Sequence, residues 1–263
     1  MSGRSSVCAA RDGLAKGKPT GKRQRVRRCI LLVSFFLFPI TIFYFSPLLI
    51  VLGALEGVVA ASAIAFSLQF LVAIVLRRAF CGWICPAGCV QELAFGVNGK
   101  PAKLGWRRFI KYAIWVPWIV SIVACAWVAG GFAAVDPFYH TPGGISMNSP
   151  MGLGIYLGIV ALFFVPSLVF GRRAGCHYFC WMAPFMVLGE KLGRVVRVPQ
   201  LHIAADPDRC VACGRCTKAC PMSLDVEGLL RAGGIRDAEC IQCAECADAC
   251  PKGALGLTVG RLR

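Results

Sequence analysis

Residues 30–76 form 47 consecutive positions with a single charge, Glu56. A soluble fold would have to bury every face of such a stretch. A bilayer accepts it directly, at about 20 apolar residues per helix, so the stretch predicts two spans. The reversal is expected at Gly53-Ala54-Leu55-Glu56-Gly57, where glycines and a carboxylate permit a tight turn. Pro39 and Pro47 are expected to kink the first helix rather than end it in lipid. A third apolar run covers about 112–131, with Trp115, Trp118 and Trp127 near its flanks, and a fourth covers 153–170.

The charges support this reading. Nine Lys/Arg precede residue 29, seven lie between Arg77 and Lys111, and Arg172-Arg173 close the fourth run, whereas residues 132–151 contain none. Basic connections on one side and basic-poor ones on the other are the positive-inside pattern. It predicts four helices in the cell membrane with both termini cytoplasmic. Apolar residues reach 57% and charged ones only 16%, against roughly 25% charged in soluble domains. The net charge of +16 brings no nucleic-acid recognition motif with it, so the lipid bilayer is the expected partner and nucleic acid is not. Residues 1–28 read as a disordered basic cytoplasmic tail, and residues 29–200 as the transmembrane domain. The apolar run after Cys29 is far longer than the roughly 7–15 residues of a cleavable signal and reads as an anchor.

An internal repeat runs through the apolar part. The second helix ends in Arg77-Arg78-Ala79-Phe80-Cys81-Gly82-Trp83-Ile84-Cys85-Pro86, and the fourth in Arg172-Arg173-Ala174-Gly175-Cys176-His177-Tyr178-Phe179-Cys180-Trp181. Each is Arg-Arg-Ala-x-Cys-x3-Cys, so the anchor reads as a duplicated helical hairpin.

The remaining residues, 201–263, carry eight of the 16 cysteines at fixed offsets. Cys210-x2-Cys213-x2-Cys216-x3-Cys220-Pro221 is followed by Cys240-x2-Cys243-x2-Cys246-x3-Cys250-Pro251. This is the bacterial two-cluster spacing, in which three close thiolates cradle one [4Fe–4S] cluster and the fourth ligates the other. It predicts one cluster on Cys210, Cys213, Cys216 and Cys250, and a second on Cys240, Cys243, Cys246 and Cys220. Structural zinc sites use two separated cysteine pairs and give no reason for a third cysteine and a proline, twice. The expected unit is a small α+β ferredoxin with a short helix at 222–230.

The pairs Cys81/Cys85 and Cys176/Cys180 leave three readings open. They are buried small side chains, a redox dithiol, or four thiolates meeting at one further iron–sulfur or metal site, which the duplication favours. Pro86 should push Cys85 out of the helical region. Cys8, Cys29, Cys89 and Cys125 have no partner spacing. Haem is not expected: His140 falls on the far side of the membrane, His177 on the near side and His202 in the ferredoxin, with no Cys-x-x-Cys-His motif.

With four spans, two Cys-x3-Cys elements and a C-terminal two-cluster ferredoxin, the chain resembles the NapH-type membrane ferredoxins, whose relatives include MauN-type proteins and the membrane portions of NosR and CcoG. It departs from them in lacking a proline directly after Cys180 and in a shorter connection between the first two helices. The resemblance implies an electron-transfer subunit linking the quinone pool, or a cytoplasmic donor, to a partner oxidoreductase. A quinol dehydrogenase in its own right and a metal-reducing assembly factor for a partner metalloenzyme are the alternatives. For quinol oxidation, Glu56 and the stretch Asp136-Pro137-Phe138-Tyr139-His140 are the ionisable candidates on the far face.

Overall fold

The computed structural model describes residues 21–147 and 149–261. Of the expected tail, residues 1–20 lie outside the described residues, and the helix starts within the remainder. Helix α1 spans Lys22–Thr41 and contains Pro39. A 3-10 turn at Ile42–Phe45 ends it, and α2, Pro47–Leu55, begins a new helix. Ser46 is extended and its hydroxyl accepts from the Leu49 amide at 3.4 Å. Pro47 therefore starts a helix rather than kinking one, because its missing N–H falls where no intrahelical partner exists.

Strand β1, Val58–Ala60, and helix α3, Ala61–Leu76, complete the first hairpin. Two short helices follow, α4 at Ala79–Trp83 and α5 at Pro86–Leu93. The second half repeats the plan. Helix α6 is Ile110–Val128, strand β2 Ala134–Asp136, helix α7 Pro150–Phe170, α8 Ala174–Tyr178 and α9 Ala183–Val195. Parallel pairing of Val58–Ala60 with Ala134–Asp136 ties the two basic-poor connections together at one end.

Three helical stretches, Lys22–Leu55, Trp106–Val128 and Pro150–Phe170, are long and apolar enough to cross a membrane. Helix α3 is apolar but has 16 residues, about 24 Å at 1.5 Å per residue. Outward-facing Phe36, Leu68, Val120, Leu157 and Val169 are all exposed, as expected of a surface that meets lipid rather than water.

The duplicated halves exchange their short helices. Helix α5, which follows the first cysteine element, packs on α1 and on α7 of the second half. Helix α9, which follows the second element, packs on α3 of the first half. A Cβ on Gly189 would meet the Phe70 carbonyl and the Ala73 side chain, so α9 lies directly on the backbone of α3, a close approach that the missing side chain allows. This exchange brings two elements about 95 positions apart in sequence to one place.

The ferredoxin unit is closed by antiparallel strands β3, Gln200–Ala205, and β4, Leu255–Gly260, with Gln200 opposite Gly260. Its helices are α10 at Arg215–Ala219, α11 at Val226–Arg231 and α12 at Glu245–Ala249. The helix expected at 222–230 starts only after Asp225, whose carboxylate accepts from the Gly228 amide at 3.1 Å and caps it. Unit and anchor are not loosely strung together: Cys81, Cys176 and Met186 share one buried core with Ile203, Met222, Leu230 and Ile241.

Candidate iron–sulfur centres

Both ferredoxin cysteine loops use the same backbone device. The residues on either side of the second cysteine have positive φ: Ala212 (53°) and Gly214 (69°) in the first loop, Gln242 (54°) and Ala244 (60°) in the second. Three of the four are not glycine, so each loop holds a conformation that costs about 1 kcal/mol or more per residue. The effect is to wrap the chain around a centre before α10 or α12 begins.

Those centres are cavities. Cys210, Cys213, Cys216 and Cys250 line one. Cys220, Cys240, Cys243 and Cys246 line another. Each cavity thus collects three cysteines of one half and the last of the other, the grouping that the spacing predicts. Among the described residues no three His, Cys, Asp or Glu side chains close on a single-ion point; the thiols stand around a volume instead. Burial pushes the Cys220 thiol up to about 11 and raises Cys240 and Cys243, so these three would stay protonated as bare thiols. A positively charged group at the centre of each set is what would make them thiolates, and the donor chemistry suits an iron–sulfur cluster.

A third cavity lies in the anchor, and Cys81, Cys85, Cys176 and Cys180 all line it. Cys81 sits in α4. Cys85 is extended (φ −60°, ψ 118°) with Pro86 in the first turn of α5. Cys176 sits in α8 and Cys180 just after it, with Pro184 in the first turn of α9. Each element is therefore followed by a helix with a proline in its first turn, starting at Pro86 after Cys85 and at Ala183 after Cys180. The remaining wall is apolar, with Phe38, Phe80, Phe163 and Trp181 among its side chains. Polar support comes from behind: Gln91 donates to Cys176 Sγ at 3.0 Å and accepts from the Cys176 amide at 3.1 Å. Arg173 Nη1 donates to the Cys81 carbonyl at 2.8 Å. Cys89 lines a different cavity, between α1 and α5, Cys29 is exposed and Cys125 half-buried, and Cys8 lies outside the described residues.

The side chains that sequence reasoning missed are the buried cations. Arg27, Arg77, Arg78, Lys111 and Arg173 are all at most 1% exposed. They belong to the basic clusters read above as membrane-flanking charge, yet each has a carboxylate partner. Arg78 Nη1 reaches Glu239 at 2.8 Å, Lys111 pairs with the same carboxylate, and His177 Nδ1 stands 3.4 Å from it. Burial would raise the Glu239 carboxyl, but Arg78, His177 and Lys111 outweigh it and hold the group well below the usual carboxylate range. Arg27 bridges Glu92 at 2.8 Å and Glu245 at 2.6 Å, while Arg173 also pairs with Glu92. Arg77 meets Glu190 at 2.7 Å. Glu239 and Glu245 come from the ferredoxin unit, so these pairs fasten it to the anchor. A count of charges shows only that the unit is neutral; nothing local marks which acids face the membrane helices.

Comparison with known proteins adds to this geometry. Residues 209–255 match the family model of a 4Fe-4S dicluster domain. Residues 58–108 and 151–199 each match the model of a 4Fe-4S binding domain, so both Cys-x3-Cys elements fall inside cluster-binding matches. The methylamine utilization ferredoxin-type protein MauN of Methylorubrum extorquens is 28% identical over 171 residues, covering 64% of this chain and 55% of MauN. The chain is related to the MauN-type ferredoxin proteins. YccM of Escherichia coli is 26% identical over 198 residues, covering 69% of this chain and 52% of YccM. The uncharacterized protein MJ0750 of Methanocaldococcus jannaschii is 27% identical over 223 residues, 77% of this chain and 84% of that one. The chain spans about half the length of YccM and MauN. No solved structure matches it.

Proposed function

We propose that the protein is a membrane electron carrier with three iron–sulfur centres, relaying electrons between the quinone pool or a cytoplasmic donor and a partner oxidoreductase. The observation that carries this reading is the set of three cavities, each lined by four cysteines. In it, Cys210, Cys213, Cys216 and Cys250 hold one [4Fe–4S] cluster, and Cys240, Cys243, Cys246 and Cys220 hold the second. Cys81, Cys85, Cys176 and Cys180 hold the third. Bound clusters supply one-electron redox chemistry at potentials set by burial, charge and hydrogen bonding. The chain supplies those settings. Gln91 donates to a thiol of the anchor site, the apolar wall excludes water, and the buried arginines offset the negative charge of a thiolate-ligated cluster.

In this reading α3 is the fourth span, extended toward full membrane thickness by Arg77 and the short elements after it. Both ends of the chain and the ferredoxin then share the cytoplasmic side with the basic connections. Glu56 and His140 stand at the opposite end, beside the paired strands β1 and β2.

Replacing Cys81, Cys85, Cys176 and Cys180 together by serine tests the reading. Iron per chain should fall from about twelve to about eight, with the spectra of the ferredoxin clusters retained. Electron delivery from the membrane side to those clusters should stop. An iron content unchanged by the four substitutions would remove the anchor site from the account.

A further inference from the structure

The loop of the first Cys-x3-Cys element lies on one ferredoxin loop and not on the other. Gly82 follows Cys81, and a Cβ on it would overlap the Ile241 carbonyl oxygen and lie 3.5 Å from the Cys243 Cβ. The two backbones touch because residue 82 has no side chain. Around this point, the Trp83 indole N–H donates to the Gln242 carbonyl at 3.1 Å and the Gln24 side-chain Nε2 to the Cys243 carbonyl at 2.9 Å. Arg27 grips both sides, donating to the Gly82 carbonyl at 3.0 Å and to Glu245 at 2.6 Å. Cys81 lines the anchor cavity, whereas Ile241 and Cys243 line the second ferredoxin cavity. Among the described residues the first ferredoxin loop has no such cover: Val211, in the wall of the other cavity, is 52% exposed.

From this placement we infer a fixed order for the relay, in which the anchor centre exchanges electrons with the Cys240/Cys243/Cys246/Cys220 centre across Gly82 and Ile241. The Cys210/Cys213/Cys216/Cys250 centre is the outer terminus that meets the soluble partner. Gly82 is a positioning residue whose missing side chain sets how closely the two inner centres approach. Two independent anchors, Arg27 on α1 and Trp83 on α4, hold that approach. The inference rests on reading the four-thiol cavity as a cluster site.

The test uses full-length protein purified anaerobically in detergent and reduced with dithionite, followed by iron analysis and electron paramagnetic resonance. In wild type, magnetic broadening should link the anchor signal to one ferredoxin signal. Gly82→Val, with Gly82→Ala as the milder change, should keep wild-type iron and abolish or diminish that broadening. Cys243→Ser should remove it and Cys213→Ser should leave it. Broadening untouched by both Gly82 variants, or lost in Cys213→Ser and kept in Cys243→Ser, would overturn the order. A wild-type iron content of about eight with no third signal would overturn the anchor site itself, and the order with it.

Discussion

Glu239→Gln should weaken the seating of the ferredoxin unit on the membrane helices by about 3–5 kcal/mol, the cost of leaving a buried charge without its partner. One carboxylate here answers Arg78 and Lys111, both fully buried, with His177 beside it. Glutamine keeps the shape and removes the charge, so two buried cations lose the carboxylate that pairs with them. Hydrogen exchange reads the effect: amides of β3 and β4 should exchange about 10²–10⁴-fold faster in the variant. Glu227→Gln is the matched control. Glu227 pairs with Arg231 at the same 2.8 Å, but the arginine side chain is 57% exposed, and such surface pairs contribute about 0–1 kcal/mol. Equal effects from the two variants would show that the Glu239 cluster does not hold the interface.

The crossed grouping of cysteines gives the second large effect. Cys250→Ser should disturb the centre that Cys213→Ser disturbs, and Cys220→Ser the one that Cys243→Ser disturbs, each at a loss of up to about four irons. The cavity walls require this: Cys250 stands with Cys210, Cys213 and Cys216, and Cys220 with Cys240, Cys243 and Cys246. If Cys250→Ser instead matched Cys243→Ser in its spectrum, each half would hold its own cluster and the crossed assignment would fall.

What could be read in advance was whatever repeats at a fixed interval. Eight cysteines at strict offsets mark two cavity walls, because three thiols within seven residues converge only if the backbone loops around a centre. Long apolar runs mark α1, α6 and α7, since nothing but length and composition is involved. The reversal at Gly53–Gly57 and the break at Pro86 follow from local backbone rules. Pro47 was read as a kink because a proline in an apolar run is ambiguous; Ser46 as a cap resolves it toward a helix start. Helices α4 and α8 have five residues each, too short to leave a 3.6-residue period. The exchange of α5 and α9 between halves is a matter of tertiary packing, and so is the meeting of the two Cys-x3-Cys elements. The duplication hinted at that meeting without fixing its geometry. The pairing of Arg78 with Glu239, 161 positions apart, leaves no local trace. Burial gave those basic residues a second role that membrane-flanking charge could not reveal.

The central claim is that three four-cysteine cavities each enclose an iron–sulfur cluster. Iron and acid-labile sulfide per chain, measured on anaerobically purified full-length protein alongside its reduced paramagnetic spectrum, test it directly. The account predicts about twelve of each and three reducible centres. Colourless protein, without acid-labile sulfide or with zinc in place of iron, would contradict it.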